Sequence, residues 1–448
     1  MLSFDDLTGE IDRGTIDTVI LAFTDMQGRL QGKRLHAPAF VDGIAERGAE
    51  GCTYLLAIDV EMNPVPGYAM SSWDHGYGDM VFLPDLATLR RIPWLERTAL
   101  VLADVQWHDG SPVPASPRQV LRAQLARAAE RGYAVNVGSE LEFILFRETY
   151  DSARQKGYRD LVPANAYNID YSILGSTFAE PVIGAIRRGM VGAGMPVEDS
   201  KGECNLGQHE VNFRYADALT MADNHVIYRN GAKEIAWQHG HALTFMPKFD
   251  EREGNSCHIH VSLWGEEGSL FPSGDGHGST PLFDHFLAGL LRHTRELVLF
   301  LAPNVNSYKR FVPGSFAPTG LVWGTDNRTC AFRVVGHGSG LRVECRVPGG
   351  DANPYLAFAA LLAAGLAGID GAYALEPAYA GNAYTATVCP RVPSTLREAR
   401  ELLAGSALAR SALGDAVCDH YLNAADVELA AFEAAVTDWE LRRGFERL

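Results

Sequence analysis

Glu140 and Glu142 stand two residues apart in GSELEFILF, a segment that reads as a strand. Successive strand side chains point to opposite faces, so these two carboxylates share one face while Leu141, Phe143 and Leu145 share the other. Three later segments repeat the design. In GQHEVNFRY, Glu210, Asn212 and Arg214 alternate with Val211 and Phe213; in NSCHIHVSLW, His258, His260 and Ser262 alternate with Cys257, Ile259 and Val261; in GLRVECRVP, Arg342, Glu344 and Arg346 alternate with Val343, Cys345 and Val347. An antiparallel sheet with one wetted face would produce the same alternation. Solvated faces, however, mix Thr, Ser, Lys and Gln, whereas these carry Glu, His and Arg, with Glu203 arriving just before Glu210. Crowded carboxylates raise one another's pKa unless cations compensate them. Several Glu, one or two His and no paired Cys suit hard octahedral ions such as Mg²⁺ or Mn²⁺ better than structural zinc.

The elements that must hold these strands fall into two parts. Residues 15–40 read as two strands turning around Gln27 and Gly28, followed by a helix-like segment at 41–48 and strand-like YLLAIDV and DMVFLPD. The Pro-containing loop DGSPVPASP then leads to a helix that starts at Ser116 and Pro117 and stops at Gly132, which puts a domain boundary near residue 110. Beyond it come helices at 178–193, 219–239, 282–300 and 353–369, strands at 195–214 and 243–264, a strand pair at 320–347 and a helical C-terminus. The Gly-rich loop at 265–280 is expected to be mobile.

The 448 residues suffice for a large core, and a net charge of −16 with no Lys/Arg run argues against nucleic-acid or anionic-membrane surfaces. Seven scattered cysteines without a CxxC pair fit a reducing cytoplasm rather than a disulfide framework. The acidic N-terminus does not read as a signal peptide. YLAFAALLAAGLAGI is short for a bilayer span and, with Asn353 as N-cap and Pro354 in the first turn, reads as a buried helix. No GxxxxGK[ST] loop or helix-opening GxGxxG is present, so a nucleotide must be held by metals and arginines.

GSELEFILF, SKGECNLGQHEVNF, EGNSCHIHVSLW, NVNSYKRFVPGSFAP, DNRTCAFRVV and LRVECRVPGGDANPYLAFAAL, in this order, resemble the glutamine synthetase family across essentially the whole chain. The resemblance implies an α+β protein: a β-grasp N-terminal domain over 1–110 and a catalytic domain over 111–448, whose curved antiparallel sheet forms a funnel flanked by helices. It also implies a homo-oligomer, commonly a dodecamer of two hexameric rings with active sites between subunits. ATP is the implied co-substrate, with two or more Mg²⁺ or Mn²⁺ ions per site. Carried over residue by residue, Glu142, Glu203 and Glu210 would ligate one metal, and Glu140, His258 and Glu344 the second. Arg310 and Arg346 would clamp glutamate, with the Gly254 backbone nearby. Arg328 and Arg333 would contact the transferring phosphoryl group, with Arg328 and Arg310 the catalytic pair, and Glu198, His260 and Ser262 match ATP-side positions.

One stretch departs from the family. Where glutamine synthetases read close to PGYEAP, with a Glu that binds and deprotonates ammonium, this chain reads PGSFAP and places Phe316 there. A DGSS-like segment that supplies a neighbouring subunit's aspartate lacks a clean match, although Asp59 lies close. The pattern therefore resembles the γ-glutamyl amide ligase branch, which joins the glutamate γ-carboxylate to an organic amine through a γ-glutamyl phosphate. Within that branch, γ-glutamylethanolamide and γ-glutamylpolyamine synthetases are the nearest types, and Phe316 is expected to form an apolar or cation–π wall for the amine. The rivals are a glutamine synthetase using ammonium, a ligase for another acid, and a non-catalytic regulatory homologue, which should have lost metal ligands that are all present here. Tyr384 lies near a position that some family members adenylylate, but its surroundings differ and it is read as unmodified.

Overall fold

The computed structural model describes residues 1–274 and 278–448. Strands β1 (Thr18–Thr24) and β2 (Leu30–His36) form a hairpin whose turn is closed by Asp25, which accepts from the Gln27 and Arg29 backbone N–H groups at 3.0 and 2.8 Å. With β3 (Ala49–Cys52), β4 (Asp79–Pro84), β5 (Arg90–Arg91) and β6 (Thr98–Gln106) they build a sheet ordered β2-β1-β6-β4-β3, with β5 on β6 and β1 parallel to β6. Its inner face gathers Leu21, Phe23, Phe82, Val101 and Val105 around Phe40. Two expectations need correction here. YLLAIDV is not a strand, because Thr53–Leu56 winds into a 3₁₀ turn and only Ile58 makes an isolated bridge, to Pro64. The central β6 and the helix Phe4–Asp12, capped reciprocally by Ser3 and Asp6, are elements the sequence reading left out.

The second sheet carries the alternating segments. Its strands are β7 (Ala134–Phe146), β8 (Val197–Gly202), β9 (Gln208–Phe213), β10 (Ala216–Asp217), β11 (Ala242–Thr244), β12 (Cys257–Gly265), β13 (Gly268–Ser269), β14 (Trp323–Thr325), β15 (Phe332–Val335) and β16 (Arg342–Cys345). The main path is β14-β15-β16-β12-β7-β9-β8. Pairing is antiparallel except that β14 runs parallel to β15, so the sheet is not purely antiparallel and the 320–347 pair is a set of three strands. The expected glycine-rich loop begins with the β12–β13 hairpin, and its 275–277 portion lies outside the described residues.

Register does what period two required. Glu142 lies opposite Glu210, His258 opposite Glu140, and His260 opposite Glu344, while Leu141, Phe143, Val211, Cys257, Ile259, Val343 and Cys345 enter the core behind them. That core is closed by the helices Pro117–Ala129, Ala218–Gln238, Pro281–Leu297 and Pro354–Asp370. Asn353 caps the last of these through its side chain, and a Cβ at Gly365 would lie 2.1 Å from the Phe286 ring, so glycine permits Pro281–Leu297 and Pro354–Asp370 to touch.

A buried guanidinium joins the two sheets. Arg118 donates to both oxygens of Asp223 at 3.0 and 2.8 Å, to Asp104 at 2.6 Å and to Asp85 at 2.7 Å, while the Tyr355 hydroxyl donates to Asp223 at 2.6 Å. Asp85 and Asp104 belong to the first sheet region, Asp223 and Tyr355 to the helices under the second. Removing the cation strands the dry Asp223, while Asp85 and Asp104 keep Arg122. Arg118→Met is therefore expected to destabilise the protein by about 3–5 kcal/mol, read as a lower urea midpoint, whereas the exposed Arg154→Met should change it by less than about 0.5 kcal/mol.

Candidate active site

The polar face of β7, β8, β9, β12 and β16 opens into a cavity of about 480 Å³. Glu140, Glu142, Glu203, Glu210, His258 and Glu344 line it together with Arg310, Arg328, Arg333, Arg346, Gly254 and Phe316. Of the residues expected at the site, Glu198, Ser262 and His260 stand outside this lining. Glu198 is exposed beside the β-bulge of β8, Ser262 accepts from the Trp264 indole at 2.9 Å, and His260 sits one pleat away from His258.

Two carboxylate sets are brought together. Ligand atoms of Glu142, Glu203 and Glu210 lie within 4.8 Å of one another. Glu142 is oriented by the Ser256 backbone N–H and hydroxyl, at 2.8 and 2.6 Å, and by the Gln208 amide at 3.0 Å. Glu210 accepts from Asn212 at 2.7 Å, and Lys201 donates to Glu203. Burial, reinforced by the charges of Glu140 and Glu142 and only partly offset by Lys201, pushes Glu210 up to about 8. Such a carboxylate takes a proton unless a cation replaces it, and a closed set of oxygen donors fits a hard divalent ion.

The second set is more elaborate than expected. His258 Nδ1 lies 3.3 Å from Glu140 and 3.6 Å from Glu344, but Glu140, His260 and Glu344 also present ligand atoms within 4.8 Å of one another, with His260 Nε2 2.8 Å from Glu140. His260, placed on the ATP side by resemblance, thus adjoins the metal-ligand group, where Arg342 donates to its Nδ1 at 3.1 Å. Burial would raise Glu344, yet His258, Arg346 and His260 hold it down at about 2. Burial likewise works against Glu140, and hydrogen bonds from His258 and His260 carry it well below the ordinary carboxylate range. Burial, then the Arg346 charge, lowers His258, which favours the neutral imidazole a metal requires.

Arginines surround the carboxylates. Arg346 reaches Glu344, and Arg333 bridges Glu344 at 2.9 Å and Asp326. Arg328 is exposed on the cavity wall. Arg310, only 2% exposed, donates to the Val347 carbonyl at 3.0 Å and has no carboxylate within 4.0 Å among the described residues. A buried guanidinium without a counter-charge, open to a cavity, is a receptor for an anion. Gly254 makes this approach feasible, since a Cβ there would meet the Pro247 carbonyl at 2.1 Å and Arg310 Cγ at 2.7 Å.

Phe316 faces the same space, 51% exposed and with φ of +59°, on the loop that follows the Ser307–Arg310 turn. Asp59 does not reach this cavity within one chain; it lines a separate crevice with Tyr68 and Glu428. The Tyr384 hydroxyl oxygen is buried. Ser256, Gln208 and Lys201 escaped the sequence reading. Gln208 and Ser256 had a visible signal, since period two puts them on the faces of Glu210 and His258, whereas Lys201 is placed opposite Glu210 only by strand register.

A family model described as glutamine synthetase, catalytic domain, matches residues 114–444. The chain is 59% identical over 447 residues to gamma-glutamylethanolamide synthetase GlnA4 of Streptomyces coelicolor, covering 100% of this chain and 96% of the relative. It is 36% identical over 439 residues to a glutamate–isopropylamine ligase of a Pseudomonas species, covering 97% and 96%. Among solved structures, a GmaS/ADP complex superposes with a TM-score of 0.86 at 30% identity over 98% of this chain and 99% of the other.

The raised Glu210 has a testable sign. The folded, metal-free chain holds a proton that the unfolded chain loses near 4.5, so this group's contribution to stability falls as pH rises toward 8, and a cation must expel the same proton to bind. Between pH 6.5 and 8, the apparent Mg²⁺ affinity read from melting temperature shifts should rise by up to about tenfold per pH unit, then level off. Glu210→Gln should flatten that dependence.

Proposed function

The chain belongs to the glutamine synthetase family and is an ATP-dependent carboxylate–amine ligase, and from that premise we propose that it joins the γ-carboxylate of glutamate to a small organic amine, ethanolamine foremost, rather than to ammonium. The observation that carries this reading is Phe316 on the wall of a cavity whose two carboxylate sets and four arginines are otherwise complete. A phenyl ring cannot pair with ammonium through a carboxylate or remove its proton. It can cover the carbon skeleton of an amine and lend its face to the cationic end. The relatives at 59% and 36% identity are both named for organic amines, which supports the same reading.

The residues divide the work. Arg310 and Arg346, one dry and unpaired and the other already engaged with Glu344, are assigned to the glutamate carboxylates. A γ-carboxylate oxygen then attacks the γ-phosphorus of ATP, the bond to the β-phosphate oxygen breaks, and ADP leaves with a γ-glutamyl phosphate formed. Arg328 and Arg333 are assigned to the equatorial oxygens of the transferring group, where positioned cationic donors count most. The amine, once its ammonium proton has passed to solvent, attacks the acyl carbon; the C–N bond forms, the carbon–phosphate oxygen bond breaks, and the departing phosphate takes the nitrogen's surplus proton. Glu142, Glu203 and Glu210 would hold one divalent ion and Glu140, His258 and Glu344 another, Mg²⁺ or Mn²⁺, supplying charge neutralisation at the phosphates. His260 is assigned to orient Glu140, and Glu198 and Ser262 to the nucleotide side.

We assign residues 1–110 and 111–448 as two domains, in a dodecamer of two hexameric rings. The exposed Trp439, Phe445 and Leu448 at the C-terminus support subunit burial. A cytoplasmic location is supported by seven free cysteines; among the described residues no helix is long and apolar enough to cross a membrane.

Phosphate release from ATP with saturating glutamate and Mg²⁺ tests the reading across ammonium, ethanolamine, short alkylamines, putrescine and spermidine. Strong release with ethanolamine and little with ammonium is expected, each product checked by mass. Phe316→Glu should lower kcat/KM for ethanolamine by about tenfold or more and raise that for ammonium. A wild-type preference for ammonium would mean an ordinary glutamine synthetase.

A further inference from the structure

Exchanging Glu for Phe at position 316 leaves a charge problem. An amine arrives as an ammonium ion, and an aromatic wall alone is a weak counter-charge. Among the cavity carboxylates, Glu142 is held by Ser256 and Gln208, Glu203 by Lys201, and Glu344 by two arginines, while Glu140 and Glu210 belong to the metal sets. Of the three carboxylates that remain, Asp199 accepts from the Asn212 amide at 3.0 Å and Glu253 adjoins Gly254, while Asp170 is the one next to the aromatic Tyr171. Asp170 lines the same cavity, accepts from Cys204 Sγ at 3.6 Å, and forms no ion pair among the described residues.

We propose that Asp170 is the residue that receives the charged nitrogen of the amine, supplying the negative group that Phe316 does not; the inference rests on the organic-amine reading above. Its place is suitable. Ligand atoms of Asp170, Glu203 and Cys204 lie within 4.8 Å of one another, so Asp170 abuts the carboxylate set at Glu203. The backbone N–H of Asp170 donates to Asn168 Oδ1 at 2.8 Å, which fixes the turn that presents it. Next to it, Tyr171 is held at φ of +54°, as Phe316 is at +59°; side-chain-bearing residues rarely adopt this conformation, and both of these aromatics line this one cavity. Lys201 Nζ sits 4.9 Å from the Tyr171 ring centroid, so a cation is already accommodated against that face. Ile173 adds an apolar lip. Charge at Asp170 with carbon against Tyr171, Ile173 and Phe316 selects a small cationic amine with a short carbon chain. Ammonium would satisfy the charge and leave the wall uncovered.

The rival role for Asp170 is a further cation ligand beside Glu203, and kinetics on the full chain separates the two. Asp170→Asn keeps shape and removes charge. It is expected to raise KM for ethanolamine by about 10- to 100-fold, the worth of a charged hydrogen bond, with KM for glutamate and ATP and the Mg²⁺ dependence nearly unchanged. Hydroxylamine, uncharged at neutral pH, should lose far less than ethanolamine, and Asp170→Glu should recover part of the ethanolamine KM. Cys204→Ala, which frees Asp170 without discharging it, should raise the ethanolamine KM only a few-fold. An unchanged ethanolamine KM in Asp170→Asn, with wild-type turnover intact, overturns the inference and leaves the organic-amine reading standing. Equal losses with both amines, accompanied by a shifted Mg²⁺ dependence, assign Asp170 to a metal and overturn it as well. Failure of the wild-type enzyme with every organic amine defeats the underlying reading, and is seen before any variant is made.

Discussion

Six glutamates line one cavity, and the rest of the molecule is arranged around the cost of keeping them there. Desolvation and mutual repulsion both oppose ionisation of a buried carboxylate group. The two halves of the set answer differently. Glu140 and Glu344 are surrounded by the His258 and His260 imidazoles and the Arg333 and Arg346 guanidiniums, whose hydrogen bonds and charges hold both carboxylates low. Glu210 has only Lys201 and an amide nearby, and its pKa climbs to about 8. The first half is preorganised and the second waits for a cation. That difference gives a physical reason for the two proposed metal sites to differ in character.

The crowding is held by backbone register rather than by loops. Every carboxylate of the β7, β9 and β16 strands projects from a ladder whose opposite face is a packed apolar core, so relaxing the repulsion would require a strand to slip and turn its Leu, Val and Phe residues to water. The Arg118 network performs the complementary task between sheets, tying Asp85 and Asp104 to the helices that back the cavity. Arg310 and Asp170, by contrast, line the cavity and form no ion pair among the described residues.

Much of this was legible in the chain. Alternation in GSELEFILF and GLRVECRVP assigned the right residues to the right face, because period two is a local property. The Asn353–Pro354 start of the long apolar helix was legible for the same reason. What failed depended on partners distant in sequence. YLLAIDV looks like a strand, yet it curls into a 3₁₀ turn where no neighbouring strand pairs it. The parallel β14–β15 pair and the central place of β6 are topological facts that no local pattern encodes. His258 and His260 share one face by sequence, and only the register against Glu140 and Glu344 shows both imidazoles beside the same carboxylates. Asp170 carried no signal at all, since it lies on an irregular segment and becomes informative only beside Glu203.

Phe316 shows why a ligase can change its nucleophile without losing its phosphoryl chemistry. The groups assigned here to carboxylate activation sit on β7, β9, β12, β16 and the Arg310 turn, all braced by the core, and altering any of them disturbs the shared charge balance. The end proposed for the amine is built differently: Asp170 and Tyr171 come from one loop and Phe316 from another, both outside the strands. Exchanging Glu for Phe on such a loop removes a charge from the rim without uncovering a buried partner, so the carboxylates behind it keep their compensation. Nucleophile choice is free to vary there because it is decoupled from the electrostatics that make the acyl phosphate.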